Sequence, residues 1–379
     1  MRLDFLFFDA GGGHRSAATA LKAAIEEQQR PWQVNLVNIN EILAPIDILR
    51  KLTGLGLEDL YNTLLKKGWT LGMRQMLPLM HGVIRLYHSE QVRLLEQYWR
   101  CSPPDMAVSL IPNFNRAIFE ALRRCTQTAP FITILTDMAD YPPHFWIERQ
   151  PQYLICGTER AVEQAHELGH PEERVFLTSG MILRPEFYRV PAVDRGEARL
   201  RLGLKPDLPT GLILFGGQGS PVMLQLAKHL SRISRPLQLI LVCGHNDRLA
   251  GRLRALPSEI PMHVEGFTKE IPRLMRISDF FIGKPGPGSI SEAVAMGLPV
   301  IIERNAWTMP QERFNAEWVQ EKGVGMVLRS FRDIGSAVEE MLAPGTLEGY
   351  RARAAAIQNR AVFEIPCLLE KIARLPTPE

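Results

Sequence analysis

The sequence predicts an α/β protein built as two parallel-sheet domains that face a shared cleft. Three observations carry that expectation. Apolar runs of strand length alternate with helix-period segments along most of the chain. The alternation restarts after Pro185. A glycine-rich strand-to-helix turn stands near each end, at Gly11-Gly12-Gly13-His14 and at Gly283-Lys284-Pro285-Gly286-Pro287-Gly288. With 379 residues the chain is also longer than one hydrophobic core usually serves.

Residues 3–8 read as a buried strand, after which Ala17, Ala18, Leu21, Ala24 and Ile25 recur at helical spacing. Residues 34–39 give the next strand, followed by runs at 106–110, 131–135, 153–156 and 175–178. Strands separated by helical segments imply a parallel sheet covered on both faces. Residues 189–210, of mixed charge and carrying Pro191, Pro206 and Pro209, read as a connector with a short helix inside. The second series has strands at 211–215, 237–242, 262–264, 279–282 and 299–302. Helical stretches at 331–342 and 347–374 close the chain. The domains expected are 1–190 and 205–345, with 346–379 as a terminal segment.

The net charge of +3 is too mild to point to nucleic acid, and none is expected as a partner. Five scattered cysteines, none in a C-x-x-C pair, show no disulfide or zinc framework and fit a reducing cytoplasm. No secretory signal and no apolar stretch of about 20 residues is visible, so a soluble or membrane-surface protein is expected. Residues 46–100 differ from the rest. They are helix-rich, with Leu, Met, Trp and Tyr interleaved among basic residues that outnumber acidic ones. Such an insertion is either a crossover with a solvated basic face or an amphipathic surface that rests on anionic lipid.

The 283–288 loop stands at a helix N-terminus, where unpaired N–H groups and the positive end of the dipole suit a diphosphate. Gly286 and Gly288 remove the Cβ that would hold a phosphate off. The loop lacks both the G-x-G-x-x-G spacing and a GK[ST] ending, so neither NAD nor ATP is favoured. Ser289 and Glu292 have the spacing of a capping box, the preferred reading on spacing alone; the other is Glu292 as acceptor for the vicinal hydroxyls of a ribose. Gln311, Glu312 and Asn315 gather at a further helix start, as ordinary helix-end polarity or as hands for sugar hydroxyls. The loop 215–220 is a third glycine turn, in which Gly216, Gly217 and Gln218 offer N–H groups to an anion or simply turn the chain.

At the N-terminus, three consecutive glycines contribute no packing, which points to close approach by a ligand. His14 opens the next helix, whose positive end should lower its pKa and keep the imidazole neutral, ready to take a proton from a hydroxyl. Asp9 either orients His14 or acts as base itself. Asp137, at a strand C-terminal end where parallel sheets bind ligands, is a second carboxylate or an Asx turn.

Together these segments resemble the monogalactosyldiacylglycerol synthase family and its relative, the lipid-II-forming N-acetylglucosaminyltransferase. DAGGGHRSAATAL is similar to the acceptor loop of that family, KPGPGSISEA to its donor loop, and PQERFN to its G-Q-E-x-x-N segment. The resemblance runs from residue 3 to about 330. It implies a GT-B fold, two Rossmann-like domains around a central cleft, with the acceptor domain first and the last helix returning to it. It implies inverting transfer from a UDP-sugar to a lipid hydroxyl, with no bound metal or cofactor. The reading of the residues themselves gives His14 and Asp9 to catalysis, and Gly12, Gly13 and Asp137 to the acceptor side. On the donor side the resemblance assigns Glu292 to the uridine ribose and Gln311, Glu312 and Asn315 to the sugar. Gly216, Gly217, Gln218, Gly286, Pro287, Gly288 and Ser289 surround the diphosphate, and Phe267 stands where uracil is held. The chain departs from the family at Met138 to Trp146, where a Cys-His-Pro-x-Trp character is usual, and at Ala10, where plant-type members have Thr.

The function expected is transfer of a hexose from UDP-galactose or UDP-glucose to diacylglycerol, at an anionic membrane surface on the cytoplasmic face. The alternatives are a UDP-sugar epimerase of the same fold, a glycosyltransferase with another lipid acceptor, and a catalytically silent UDP- or lipid-binding protein. The epimerase leaves the basic, aromatic-rich insertion without a reason. The silent binder leaves the GGGH loop without one.

Overall fold

The computed structural model describes residues 1–9, 12–46, 81–141 and 144–375. Most of the 46–100 insertion, together with Ala10, Gly11, Pro142 and Pro143, lies outside the described residues. Among those described, twelve strands form two six-stranded sheets, and every strand pairing is parallel. The first sheet holds β1 (Arg2–Phe7), β2 (Gln33–Asn38), β3 (Met106–Ser109), β4 (Phe131–Ile134), β5 (Tyr153–Cys156) and β6 (Val175–Leu177) in the order β2-β1-β3-β4-β5-β6. The second holds β7 (Thr210–Leu214), β8 (Gln238–Val242), β9 (Met262–Glu265), β10 (Phe280–Gly283), β11 (Val300–Glu303) and β12 (Gly325–Leu328) in the order β12-β11-β10-β7-β8-β9.

The strand sequences follow from position in the sheet. Every residue of β3, β4, β5, β7, β8 and β10 is buried, which is why these segments are near-continuous apolar runs. The edge strand β2 mixes Gln33, Asn35 and Asn38 with buried Val34 and Val37, as a strand with one uncovered side must. Each sheet reverses its strand order once, between β1 and β3 and again between β7 and β10. In open parallel sheets the loops that splay apart at such a reversal leave a crevice for ligand. All three glycine-rich loops singled out in the sequence lie at these two places: after β1, after β7 and after β10.

The core of the first sheet takes in Leu3, Phe5, Leu21, Val108 and Phe131, and also Val362, Ile365, Leu369 and Ile372 of the Ala361–Ala373 helix. The end of the chain therefore packs back on the first half, against the Gly13–Glu27 helix. The connector is clamped to the second half. Within its helix Arg195–Arg201, the buried Arg199 reaches Asp279 Oδ2 at 2.7 Å and Arg195 reaches Asp279 Oδ1 at 2.6 Å. Arg351 adds a third guanidinium on Asp279 Oδ1 at 2.7 Å.

Two sequence expectations need correction. The 347–374 stretch is two helices, Thr346–Ala356 and Ala361–Ala373. Ile357 between them is extended (φ −85°, ψ 104°), and Asn359 donates to the Met181 carbonyl at 2.8 Å, so the break is where the chain crosses to the first half. Strand β12 was also not expected. The Arg313–Lys322 helix stops at Gly323 in the left-handed region (φ 60°), and the short Gly325–Leu328 run pairs with β11.

Candidate active site

The first crevice is built around His14. Gly12, at φ 78°, caps the helix Gly13–Glu27 without a side-chain partner, so His14 lies in its first turn. Its Nδ1 is 2.8 Å from the Leu110 carbonyl, in the loop after β3, and 3.0 Å from Thr136 Oγ1, after β4. A carbonyl only accepts, so Nδ1 carries the proton and Nε2 keeps its lone pair, with no partner among the described residues. Phe8 and Trp146 lie against the ring, with centroids 4.8 and 5.8 Å away. Burial lowers the His14 pKa to about 4, against which the Leu110 hydrogen bond works. The imidazole is neutral, as expected, but burial is the leading cause rather than the helix dipole. Asp9 Oδ2 pairs with Arg15 Nη1 at 3.1 Å, and the Leu110 carbonyl and Thr136 hold the His14 Nδ1.

Asp137, just beyond β4, accepts from the indole Nε1 of Trp146 at 2.9 Å. It is a half-buried carboxylate held by an indole nine residues on, not an Asx turn. The intervening loop is tied by Asp140, which accepts from Trp146 N at 2.6 Å and His144 N at 3.0 Å. Burial pushes the Asp137 pKa up to about 7; the Trp146 hydrogen bond and Lys284 oppose, and Glu312 and Asp140 add to it. Met138, next to Asp137, joins the buried cluster of the second half that holds Ile290 and Val294 of the helix after β10, so the two crevices face each other.

The second crevice is lined by the loops after β7 and β10. The 216–220 loop is locked from below by the loop after β8. His245 N donates to the Gly217 carbonyl at 2.9 Å, and Asn246 Nδ2 donates to the Gln218 carbonyl at 3.2 Å. A Cβ on Gly244, at φ 59°, would sit 2.2 Å from the Gly217 oxygen, so only glycine allows this contact. The loop after β10 runs into the helix Pro287–Ala295, with Gly286 at its N-cap and no side-chain cap. Pro287 has no N–H, so the N–H groups of Gly288 and Ser289 open the helix toward the cleft. The capping-box reading of Ser289 and Glu292 is overturned. Proline at the first helical position starts the helix earlier, which puts Ser289 inside it. Glu292 is thereby half-buried in mid-helix, with no hydrogen-bond partner among the described residues. Burial raises its pKa to about 7, while Arg184 opposes.

The Pro310–Asn315 residues divide. Glu312 is buried and accepts from Lys284 Nζ at 2.7 Å. Gln311 is half-buried beside Met309. Asn315 is fully buried; its Nδ2 donates to the Pro285 carbonyl at 2.7 Å and braces the glycine loop, while its Oδ1 has no hydrogen-bond partner among the described residues. Phe267 is 58% exposed and stacks on His245, with centroids 4.0 Å apart and ring planes 17° apart. Sequence reasoning missed Lys284, Thr136, Trp146 and His245. Lys284 alone had a local signal, as the only charged residue within the 283–288 loop. Two cavities, of about 240 Å³ beside Met138 and Ser291 and about 730 Å³ between Glu27 and the connector, are lined by none of these candidate site residues. Among the described residues no group of three or more His, Cys, Asp or Glu side chains converges as metal ligands would.

Residues 212–364 match the family model of the glycosyltransferase family 28 C-terminal domain. The monogalactosyldiacylglycerol synthase of Spinacia oleracea is 29% identical, over 98% of this chain and 73% of the spinach protein. Monogalactosyldiacylglycerol synthase 1 of Arabidopsis thaliana is 27% identical, over 90% of this chain and 65% of its own length. Among solved structures, MurG of Acinetobacter baumannii superposes with a TM-score of 0.64 at 13% identity, covering 98% of this chain and 99% of its own. Anabaena HepE, solved in complex with UDP and glucose, gives 0.54 at 16% identity, covering 99% of this chain and 100% of its own. At such identities these two structures speak to the fold alone.

Proposed function

We propose that the chain is a member of the monogalactosyldiacylglycerol synthase family, with its GT-B fold, and that it moves galactose or glucose from a UDP-sugar to the free hydroxyl of diacylglycerol. The spinach and Arabidopsis relatives support the lipid acceptor by name, and HepE, also solved in complex with UDP-glucose, supports a UDP-sugar in this fold. The reaction is one displacement. The acceptor oxygen attacks the anomeric carbon from the side of the first half. The bond from that carbon to the β-phosphate oxygen breaks, UDP leaves with the electron pair, and the hydroxyl proton passes to His14 Nε2. Inversion turns an α-linked donor into a β-glycoside. The N–H groups of the 216–220 and 286–289 loops offset the charge gathering on the leaving diphosphate. Glu292 accepts the ribose hydroxyls, Phe267 lies under the uracil, and Gln311 and Glu312 meet the hexose.

The enzyme works peripherally on an anionic membrane at its cytoplasmic face. Among the described residues no helix is long and apolar enough to cross a bilayer. Leu86, 78% exposed, and Val83, also exposed, flank Arg85 where the 46–100 insertion rejoins the described chain, which supports docking through that side.

The observation that carries the reading is the opposition across the cleft. A neutral imidazole with Nδ1 locked and Nε2 open stands at one strand-order reversal, and two loops suited to an anion stand at the other. The test is a panel of radiolabelled UDP-sugars with diacylglycerol vesicles, products separated by thin-layer chromatography. Label from UDP-galactose or UDP-glucose should move into the lipid fraction. No labelled lipid, with the UDP-sugar isomerised instead, would make the protein an epimerase.

A further inference from the structure

Lys284 stands between the loop after β7 and the loop after β10. It follows β10 directly, and its Nζ is held at 2.7 Å by Glu312 Oε1. Glu312 is almost fully enclosed, whereas the Lys284 side chain keeps 40% of its surface open. The carboxylate thus anchors the ammonium from the protein side and leaves its other N–H donors to the cleft. The lysine stem runs between the two loops. A Cβ on Gly286 would come within 3.3 Å of Lys284 Cε and 3.7 Å of Nζ, and a Cβ on Gly216 within 3.9 Å of Cε. Glycine at 286 therefore has a second use, since it clears the path of the lysine as well as the approach to the helix N-terminus.

We propose that Lys284 binds the diphosphate of the donor through its ammonium group, bridging the loop after β7 and the loop after β10, and offsets the charge that the departing UDP acquires. This rests on the donor reading given above and adds to it a side chain with full positive charge. The N–H groups of the two loops supply only dipoles. A lysine acts on phosphate as a point charge and needs no fixed fork. The charge of Glu312 is the leading cause that raises the Lys284 pKa, with a smaller contribution from Asp137, so the side chain stays an ammonium through the neutral range.

Isothermal titration of UDP and of uridine into the full-length protein tests this. Lys284→Met should weaken UDP binding about 10- to 100-fold, as loss of one charge-assisted contact does, and leave uridine within about twofold of wild type. Lys284→Arg should recover most of the UDP affinity. If Lys284→Met fails to fold, as judged by its thermal transition, Lys284→Gln answers the same question. Unchanged UDP affinity, or equal losses for UDP and uridine, overturns the role of Lys284 while the donor reading stands. A wild-type protein that binds neither ligand overturns both.

Discussion

Asp137→Asn should stabilise the protein, and the gain should grow as pH rises from 5 to 8. The cleft holds the Asp137 pKa at about 7, against 3.8 for an ordinary aspartate. A carboxyl whose folded pKa lies above its unfolded one binds more protons in the native state across that window. Stability is therefore fully present below about pH 4, and falls as pH rises toward 7. At about 1.4 kcal/mol per pH unit, the ceiling on the cost of the ionised group is on the order of 4 kcal/mol above pH 7. At pH 5 the same reasoning leaves about 1.6 kcal/mol. Asparagine keeps an acceptor for the Trp146 indole and cannot ionise. Urea denaturation of both proteins at pH 5, 6, 7 and 8 isolates the effect, because every other titrating group is common to the two. The difference in unfolding free energy should climb by about 2.6 kcal/mol across the series. A flat difference, or a variant less stable at pH 8, would refute the reasoning. The latter would mean that Lys284 stabilises the Asp137 anion more than burial penalises it.

His14→Ala should lower kcat about 10²- to 10⁴-fold with UDP affinity within about twofold, read by steady-state kinetics and calorimetry; parallel losses in both would remove the base role. Uridine should bind more tightly at pH 8 than at pH 6, because Glu292 ionises near 7 and the anion is the better acceptor for hydroxyls. Glu292→Gln should abolish that difference, and if the variant keeps it, Glu292 does not meet the ribose. At Asp279, burial alone would raise the pKa, but Arg199, the Thr210 N–H, Arg195 and Arg351 outweigh it and hold the carboxyl below its usual range. Its contribution is present above the ordinary aspartate value and lost as pH falls through the depressed one. Asp279→Asn should cost about 3 kcal/mol at pH 7 by leaving three guanidinium groups without their carboxylate, measurable by denaturant unfolding.

What the sequence made legible was local, and what it hid was long-range. Buried parallel strands such as Gly211–Leu214 or Phe280–Ile282 announce themselves by composition, and glycine turns announce their own geometry. Several strands, however, stop one residue short of the expected end. Phe8, Leu110 and Leu135 lie beyond the strand ends; the Leu110 N–H still donates to the Leu6 carbonyl, but its own carbonyl is turned to His14 and sets the tautomer. No local pattern links His14 to a residue 96 positions away, or Asp137 to Trp146. The Ser289–Glu292 spacing misled because a proline two residues earlier starts the helix first. Strand β12 did leave a trace, Gly323 followed by Val324-Gly325-Met326-Val327-Leu328, which reads in retrospect as a helix stop and a short apolar run. The helix break at Ile357 left none, since its cause is the Asn359 contact to the first half.

The most direct test of the account is a crystal structure with UDP bound. The account predicts the diphosphate against the N–H groups of the 216–220 and 286–289 loops, the ribose at Glu292, and the His14 ring opposite with Nε2 toward the empty sugar position. A nucleotide seated elsewhere, or His14 rotated with Nε2 turned into Phe8 and Trp146, would contradict it.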